Sequence, residues 1–235
     1  MNSFFYSKLN QLLLLLSICS LGYAQEAFNT INNYSWADYT KAALYLEPFQ
    51  GKRYFDHHRI LNEKHKYFKT FELVEGAIIY NNDHYSDLQL KYDLNEQQLA
   101  LYHPHSDGVT LVAVNMNQVQ AFKIDQSIFV KQQIKDESYF LEYIDVFKGK
   151  QLWIYHQKIA SFKMDDRVGY YEFNPKESLF VFDGTQWYRD DAIRIENFYP
   201  QDIQKIKTWS KEGKTLKKND AATYVRSLLK HLKSS

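Results

Sequence analysis

From about Phe68 to Tyr199 the chain runs strand after strand, with short turns and no helical spacers between them. Ala77–Tyr80 and Leu88–Tyr92 flank the turn-rich Asn81-Asn82-Asp83-His84, a hairpin signal. Leu88, Leu90 and Tyr92 share one face at period two, with Gln89, Lys91 and Asp93 on the other. Gln98–Tyr102, Val109–Val114, Val119–Ile124 and Ser127–Lys131 continue the run. Tyr139–Phe147 and Leu152–Ala160 flank Lys148-Gly149-Lys150, and Tyr170–Phe173, Ser178–Phe182 and Gln186–Arg189 complete it. Asp183-Gly184 between the last two is a tight-turn dipeptide, because both residues tolerate the backbone angles of a two-residue hairpin. The pattern predicts an α+β chain, mainly antiparallel β, with about ten strands in layered meanders or a partial barrel. A parallel nucleotide-binding sheet is excluded by the missing strand–helix–strand rhythm.

The flanks differ. Residues 25–70 are irregular, with a short helix conceivable over Trp36–Leu46 before Pro48 and an extended entry into the sheet at Phe49–Phe55. Residues 71–199 are the β domain, and residues 200–235 a helical tail packed on the same domain. In the tail, Pro200 suits a first helical position and Gly213 a stop after Glu212. Asn219 or Asp220 then caps a second helix, giving a C-terminal pair. Ala221, Tyr224, Val225, Leu228, Leu229 and Leu232 trace one apolar helical stripe that docks on the sheet or serves a partner. The 19 Tyr and 16 Phe favour strands and large cores, while 8 Gly and 4 Pro leave little material for flexible loops.

Residues 1–24 have the grammar of a secretory signal peptide: Lys8, the apolar run Leu12–Leu16, then Gly22-Tyr23-Ala24 before Gln25. The apolar run is too short to span a bilayer. Cleavage after Ala24 removes Cys19, the single cysteine, and leaves a chain that must rely on core burial rather than disulfides. The expected location is exported and periplasmic, with an extracellular or Cys19 lipid-anchored form as alternatives. Ile18 before Cys19 fits the lipid-anchor reading poorly.

Charge divides the mature chain. Residues 201–235 hold 9 Lys/Arg against 3 Asp/Glu, whereas residues 25–200 hold 19 against 25. A basic tail on an acidic body is either a solvated helix face or a contact for an anionic partner. The candidate interaction residues are Tyr224, Leu228 and Leu229 on the stripe, with Lys217, Lys218 and Arg226 beside it. The expected partners are an envelope protein or an anionic membrane surface. Nucleic acid is not expected, since no recognition motif accompanies the lysines, and no transmembrane segment is expected in the mature chain.

Groups with possible chemistry are scattered. His103-Pro-His105, with Asp107 nearby, supplies two imidazoles of the kind zinc or copper takes, and His57, His58 and His84 could join them. Scattered surface loop histidines are the better reading of the same residues, because His-x-His alone is a weak signal. Asp165-Asp166 and Asp190-Asp191 are paired carboxylates, but sequence neighbours on a strand point apart. Neither a Gly-x-Ser-x-Gly elbow nor a glycine-rich phosphate loop occurs, so no catalytic residue and no cofactor is assigned. Trp153 and Tyr155 share a strand face, and Trp187-Tyr188 alternate across another. Such rings either fill a core or stack on sugar.

Glu75-Gly76-Ala77 through Tyr85, Leu88–Leu94 with Gln98-Leu99, and Phe198-Tyr199-Pro200 through Tyr224-Val225 to Leu229 resemble a group of uncharacterised secreted proteins of Bacteroidota. That group has a signal peptide, an early hairpin carrying L-x-Y-D and a lysine-rich helical tail. It has no assigned activity, so the resemblance implies an envelope location and no functional residues. The helical end lacks the β-rich export signal of such bacteria, which favours the periplasm. The resulting expectation is a non-catalytic envelope protein acting through protein or surface contacts. The alternative is a ligand- or glycan-binding, or carbohydrate-active, β module.

Overall fold

The computed structural model describes residues 47–103 and 110–234. The signal-peptide segment, Trp36–Leu46 and His105 therefore lie outside the described residues. Eleven strands form one open sheet. They are β1 (Lys52–Arg53), β2 (Val74–Tyr80), β3 (Asp83–Asp93), β4 (Gln98–His103), β5 (Thr110–Ala113) and β6 (Val119–Ile124). β7 (Ser127–Ile134), β8 (Glu137–Phe147), β9 (Lys150–Asp165), β10 (Val168–Phe182) and β11 (Trp187–Asp190) follow. Their spatial order is β1-β5-β4-β3-β2-β6-β7-β8-β9-β10-β11, and every neighbouring pair is antiparallel.

Turn chemistry sets these registers. Asn81-Asn82, Lys148-Gly149 and Asp166-Arg167 each place both residues at positive φ, the conformation whose twist matches the strands it joins. The first hairpin is thus tighter than its four polar residues suggest, and β3 begins at Asp83. Residues 170–173 and 178–182 belong to one strand, with Pro175 inside it. Pro175 pairs with Lys158 at a position where the β10 backbone turns away from β9, so its missing N–H breaks no bond. Gly76 lets β2 and β6 approach: a Cβ there would lie 2.3 Å from Lys123 O.

One sheet face carries two apolar cores side by side. Strands β2–β8 gather Ile78, Leu90, Tyr92, Leu99, Phe122 and Phe129 in the first. Strands β8–β10 gather Leu152, Ile154, Leu179 and Val181 in the second, against the helices. The sheet curls until the β3–β4 turn meets β9, where Lys158 N–H donates to Leu94 O (3.2 Å). The reverse face carries a third, aromatic group that includes Trp153, Tyr155 and Phe180. Three helices follow rather than two: α1 (Ile203–Glu212), α2 (Lys214–Asn219) and α3 (Ala221–Ser234). Gly213 ends α1 as expected but keeps a negative φ, so the chain winds one further short helix before turning. Asp220 caps α3 by accepting Thr223 N–H at 2.9 Å.

Candidate functional site

Between the two cores the sheet buries a line of charges. Glu142 on β8, fully buried, accepts from His156 Nε2 on β9 at 2.6 Å. His156 Nδ1 lies 2.7 Å from Glu177 Oε1 on β10. Period two explains the arrangement: Glu142 faces Ile154 and His156 faces Glu177 across adjacent ladders, so all three share the core face. Both outer ends reach α3. Arg226 donates to Glu142 Oε1 (2.9 Å) and to Tyr143 O (3.1 Å). Glu177 Oε2 accepts Ala221 N–H (3.0 Å) at the start of the helix. With a carboxylate against each ring nitrogen, the imidazole must carry both protons. Burial pulls the His156 pKa down, but hydrogen bonds to Glu142 and Glu177 and their charges outweigh it, lifting the value to about 9. Burial likewise works against the Glu142 carboxylate, yet His156 and then Arg226 hold it down at about 2. Formal charges along the line cancel.

A second ionic group anchors the irregular segment before β2. Lys66 Nζ, on a side chain only 2 % exposed, lies 2.9 Å from Asp93 Oδ2 and 3.2 Å from Asp56 Oδ1. Tyr54 donates to Asp93 Oδ2 (2.6 Å) and Tyr67 to Asp56 Oδ2 (2.8 Å). Burial, and then the bond to Asp93, push the Tyr54 phenol far above its usual range. Asp93 Oδ1 also accepts Asn95 and Glu96 N–H, which shapes the β3–β4 turn. Lys158 Nζ donates to His65 O and Tyr67 O, and burial lowers its pKa to about 8.

Over this group opens a cleft of about 840 Å³ lined by Asp56, His58, His65, Lys69, Leu61 and Phe71 among others. Burial, followed by the charges of Lys158 and Lys91, holds His65 neutral, with a pKa of about 4. His58 Nδ1 is buried without a hydrogen-bond partner among the described residues, 3.8 Å from Asp56 Oδ1. The sequence reading missed the cleft. Asp93 sits on the polar side of an alternating strand, and Lys66 looks like any loop lysine. The only available signal was three histidines within a few residues of one another.

The candidates chosen from sequence are placed as follows. His103 ends β4 and meets Phe49 edge to face at 5.7 Å; His105 lies outside the described residues. Among the described residues no three His, Cys, Asp or Glu side chains are grouped to hold a metal ion. Asp190 is buried and caps its turn through Ala192 N–H, with Arg194 on its other oxygen, while Asp191 accepts from Ser178 and Arg189. Asp165 and Asp166 stand at the end of the β9–β10 hairpin. Trp153 and Tyr155 are buried, not displayed. Tyr224, Leu228 and Leu229 are buried against the sheet, so a partner could reach them only if α3 left it. Arg226 is bound to Glu142, and Lys217 lies over the Tyr224 ring (5.8 Å). Lys218 is exposed.

Lys205, Lys207, Lys211, Lys214 and Lys230 are also exposed, and among the described residues no ion pair forms at any of them. No described helix is long and apolar enough to cross a membrane. Comparison with protein-family models, with curated proteins and with solved structures finds no match in any of the three.

Proposed function

We propose that this chain is an exported, non-catalytic protein of the cell envelope, periplasmic in location, that binds an anionic envelope surface through its basic helical layer. The observation that carries this reading is the division of labour in α1–α3. Their apolar residues, Ile206, Val225, Leu228 and Leu229, face the sheet, and the outward side carries several lysines that make no ion pair among the described residues. A rigid layer with an excess of positive charge attracts anions over about a Debye length. The signal-peptide grammar of residues 1–24 supports export.

Cosedimentation with vesicles tests it. Vesicles rich in phosphatidylglycerol should carry the protein down at about 0.01 M salt and release it near 1 M, as the screening length falls from about 30 Å to about 3 Å. Neutral phosphatidylcholine vesicles should not bind. Reversing Lys207, Lys211, Lys214 and Lys218 to Glu should abolish sedimentation. Binding that survives the reversal would sink the reading.

The cleft favours a second reading, a ligand-binding module. His58 Nδ1, Asp56 and Lys69 converge there beside the half-exposed Leu61 and Phe71. Glycan-array binding that is lost in His58→Ala would establish it.

A further inference from the structure

The β9–β10 hairpin outgrows its sheet. Strand β8 pairs with β9 only as far as Ile154, yet β9 runs on to Asp165, on the order of 35 Å further. On its outer side β10 is covered, because Tyr171 and Phe173 N–H donate to Arg59 O (2.8 Å) and Lys64 O (3.0 Å). Among the described residues the outer side of β9 is covered only at its base, where Lys158 N–H reaches Leu94 O. Alternation along an antiparallel ladder then turns the N–H and C=O groups of Ala160, Phe162 and Met164 outward as well. Among the described residues no strand meets them. The same stretch displays its apolar side chains: Phe162 is 57 % exposed and Met164 69 %. Phe162 is nevertheless held in place, edge to face with Tyr171 at 5.4 Å and lying over Gly169, where a Cβ would come within 2.8 Å of the ring. An unguarded edge with ordered apolar side chains is a template for another strand.

We infer that this edge pairs, antiparallel and about a two-fold axis, with the same edge of a second copy of the chain. The residues select both occupant and register. Centred on Phe162, the two edges set Phe162 against Phe162 of the second copy, Ala160 against Met164 and Ser161 against Lys163. All the outward backbone groups of Ala160, Phe162 and Met164 are then satisfied. Centred on Lys163, two lysines would stand directly opposite, which is repulsive. Centred on Ser161, Met164 would need the Lys158 N–H, which Leu94 O already holds. Of these three registers only the one centred on Phe162 has neither fault, and it fuses two sheets into one.

Sedimentation equilibrium on the purified protein from about 1 µM to about 1 mM covers the range in which a small interface associates. A monomer–dimer equilibrium within that span is expected. Ala160→Pro removes one outward N–H and no bond within the chain, so it should weaken dimerisation at least tenfold while leaving the melting temperature in place. Phe162→Glu should do the same by placing like charges together. Register is read by disulfide trapping in a Cys19→Ser background: Ser161→Cys mixed with Lys163→Cys should cross-link, and neither alone should. A monomer at every concentration, a dimer indifferent to both edge variants, or equal cross-linking by each cysteine variant alone would overturn the inference.

Discussion

Replacing His156 with Gln should destabilise the protein by about 3 kcal/mol at pH 6 and remove the loss of stability that His156 brings above neutrality. The imidazolium sits between Glu142 and Glu177, 2.6 and 2.7 Å from their oxygens, and is buried. Glutamine leaves two carboxylates in the seam with Arg226 as their remaining cation, and removing one partner of a buried ionic group costs about 3–5 kcal/mol. The pKa gives an independent figure. A rise from 6.5 to about 9 corresponds to about 3 kcal/mol at 1.36 kcal/mol per unit. The folded value lies above the unfolded one, so this stability is fully present below pH 6.5 and lost as pH climbs to about 9. Glu142 has the opposite sign: its contribution is present above pH 4.5 and lost as pH falls toward about 2. Urea unfolding of both proteins at pH 6 and pH 9 measures the effect. Wild type should lose most of its 3 kcal/mol advantage over His156→Gln between those values, a difference in which the opposite slopes of Lys158 and His65, common to both proteins, cancel. In melting temperature the pH 6 difference is about 6–12 °C. A variant as stable as wild type at pH 6, or one that keeps the wild-type alkaline slope, would refute a charged His156.

Three further outcomes follow from the packing. Lys66→Met leaves Asp93 buried without its cation, at a cost of about 3–5 kcal/mol, and limited proteolysis should then cut between residues 54 and 66 before global unfolding. Leu228→Ala opens a cavity under α3 and should cost about 3–5 kcal/mol in urea unfolding, because Leu228 is fully buried. Gly76→Ala should cost about 1–3 kcal/mol by the same measurement, since its Cβ would meet Lys123 O at 2.3 Å and Leu90 Cδ2 at 2.8 Å.

Elements specified by local chemistry were legible in the sequence. The β2–β3 hairpin follows from Asn81-Asn82, β6 from the apolar and aromatic content of Val119–Ile124, and α3 from the Asp220 cap with its stripe. Elements whose limits are set by distant contacts were not. The gap between the expected strands Tyr170–Phe173 and Ser178–Phe182 holds Pro175, and only the direction of that backbone position in β10 makes its missing donor harmless. The outer part of β9, Ser161–Asp165, does alternate polar with apolar residues, but its apolar side chains meet solvent rather than a core, and it is β because β10 pairs with it.

The ionic groups show why candidate sites are harder to read than strands. Glu142, His156 and Glu177 come from three strands, and Arg226 is 84 positions from the carboxylate it meets. Each residue alone is an ordinary polar position on an alternating strand or helix. What betrays them is a fault in the pattern: Glu142 and His156 stand on the face that Phe140 and Ile154 assign to the core. A charge on a core face is tolerated only with a partner of opposite sign, so two such faults on neighbouring strands imply each other. Asp93 and Lys66 lack that signal, because the face of β3 carrying Asp93 is covered by the loop that supplies Lys66. A strand pattern records which face is buried by the sheet's own core. It carries no record of a loop that later lies across the other face, and the cleft is built there.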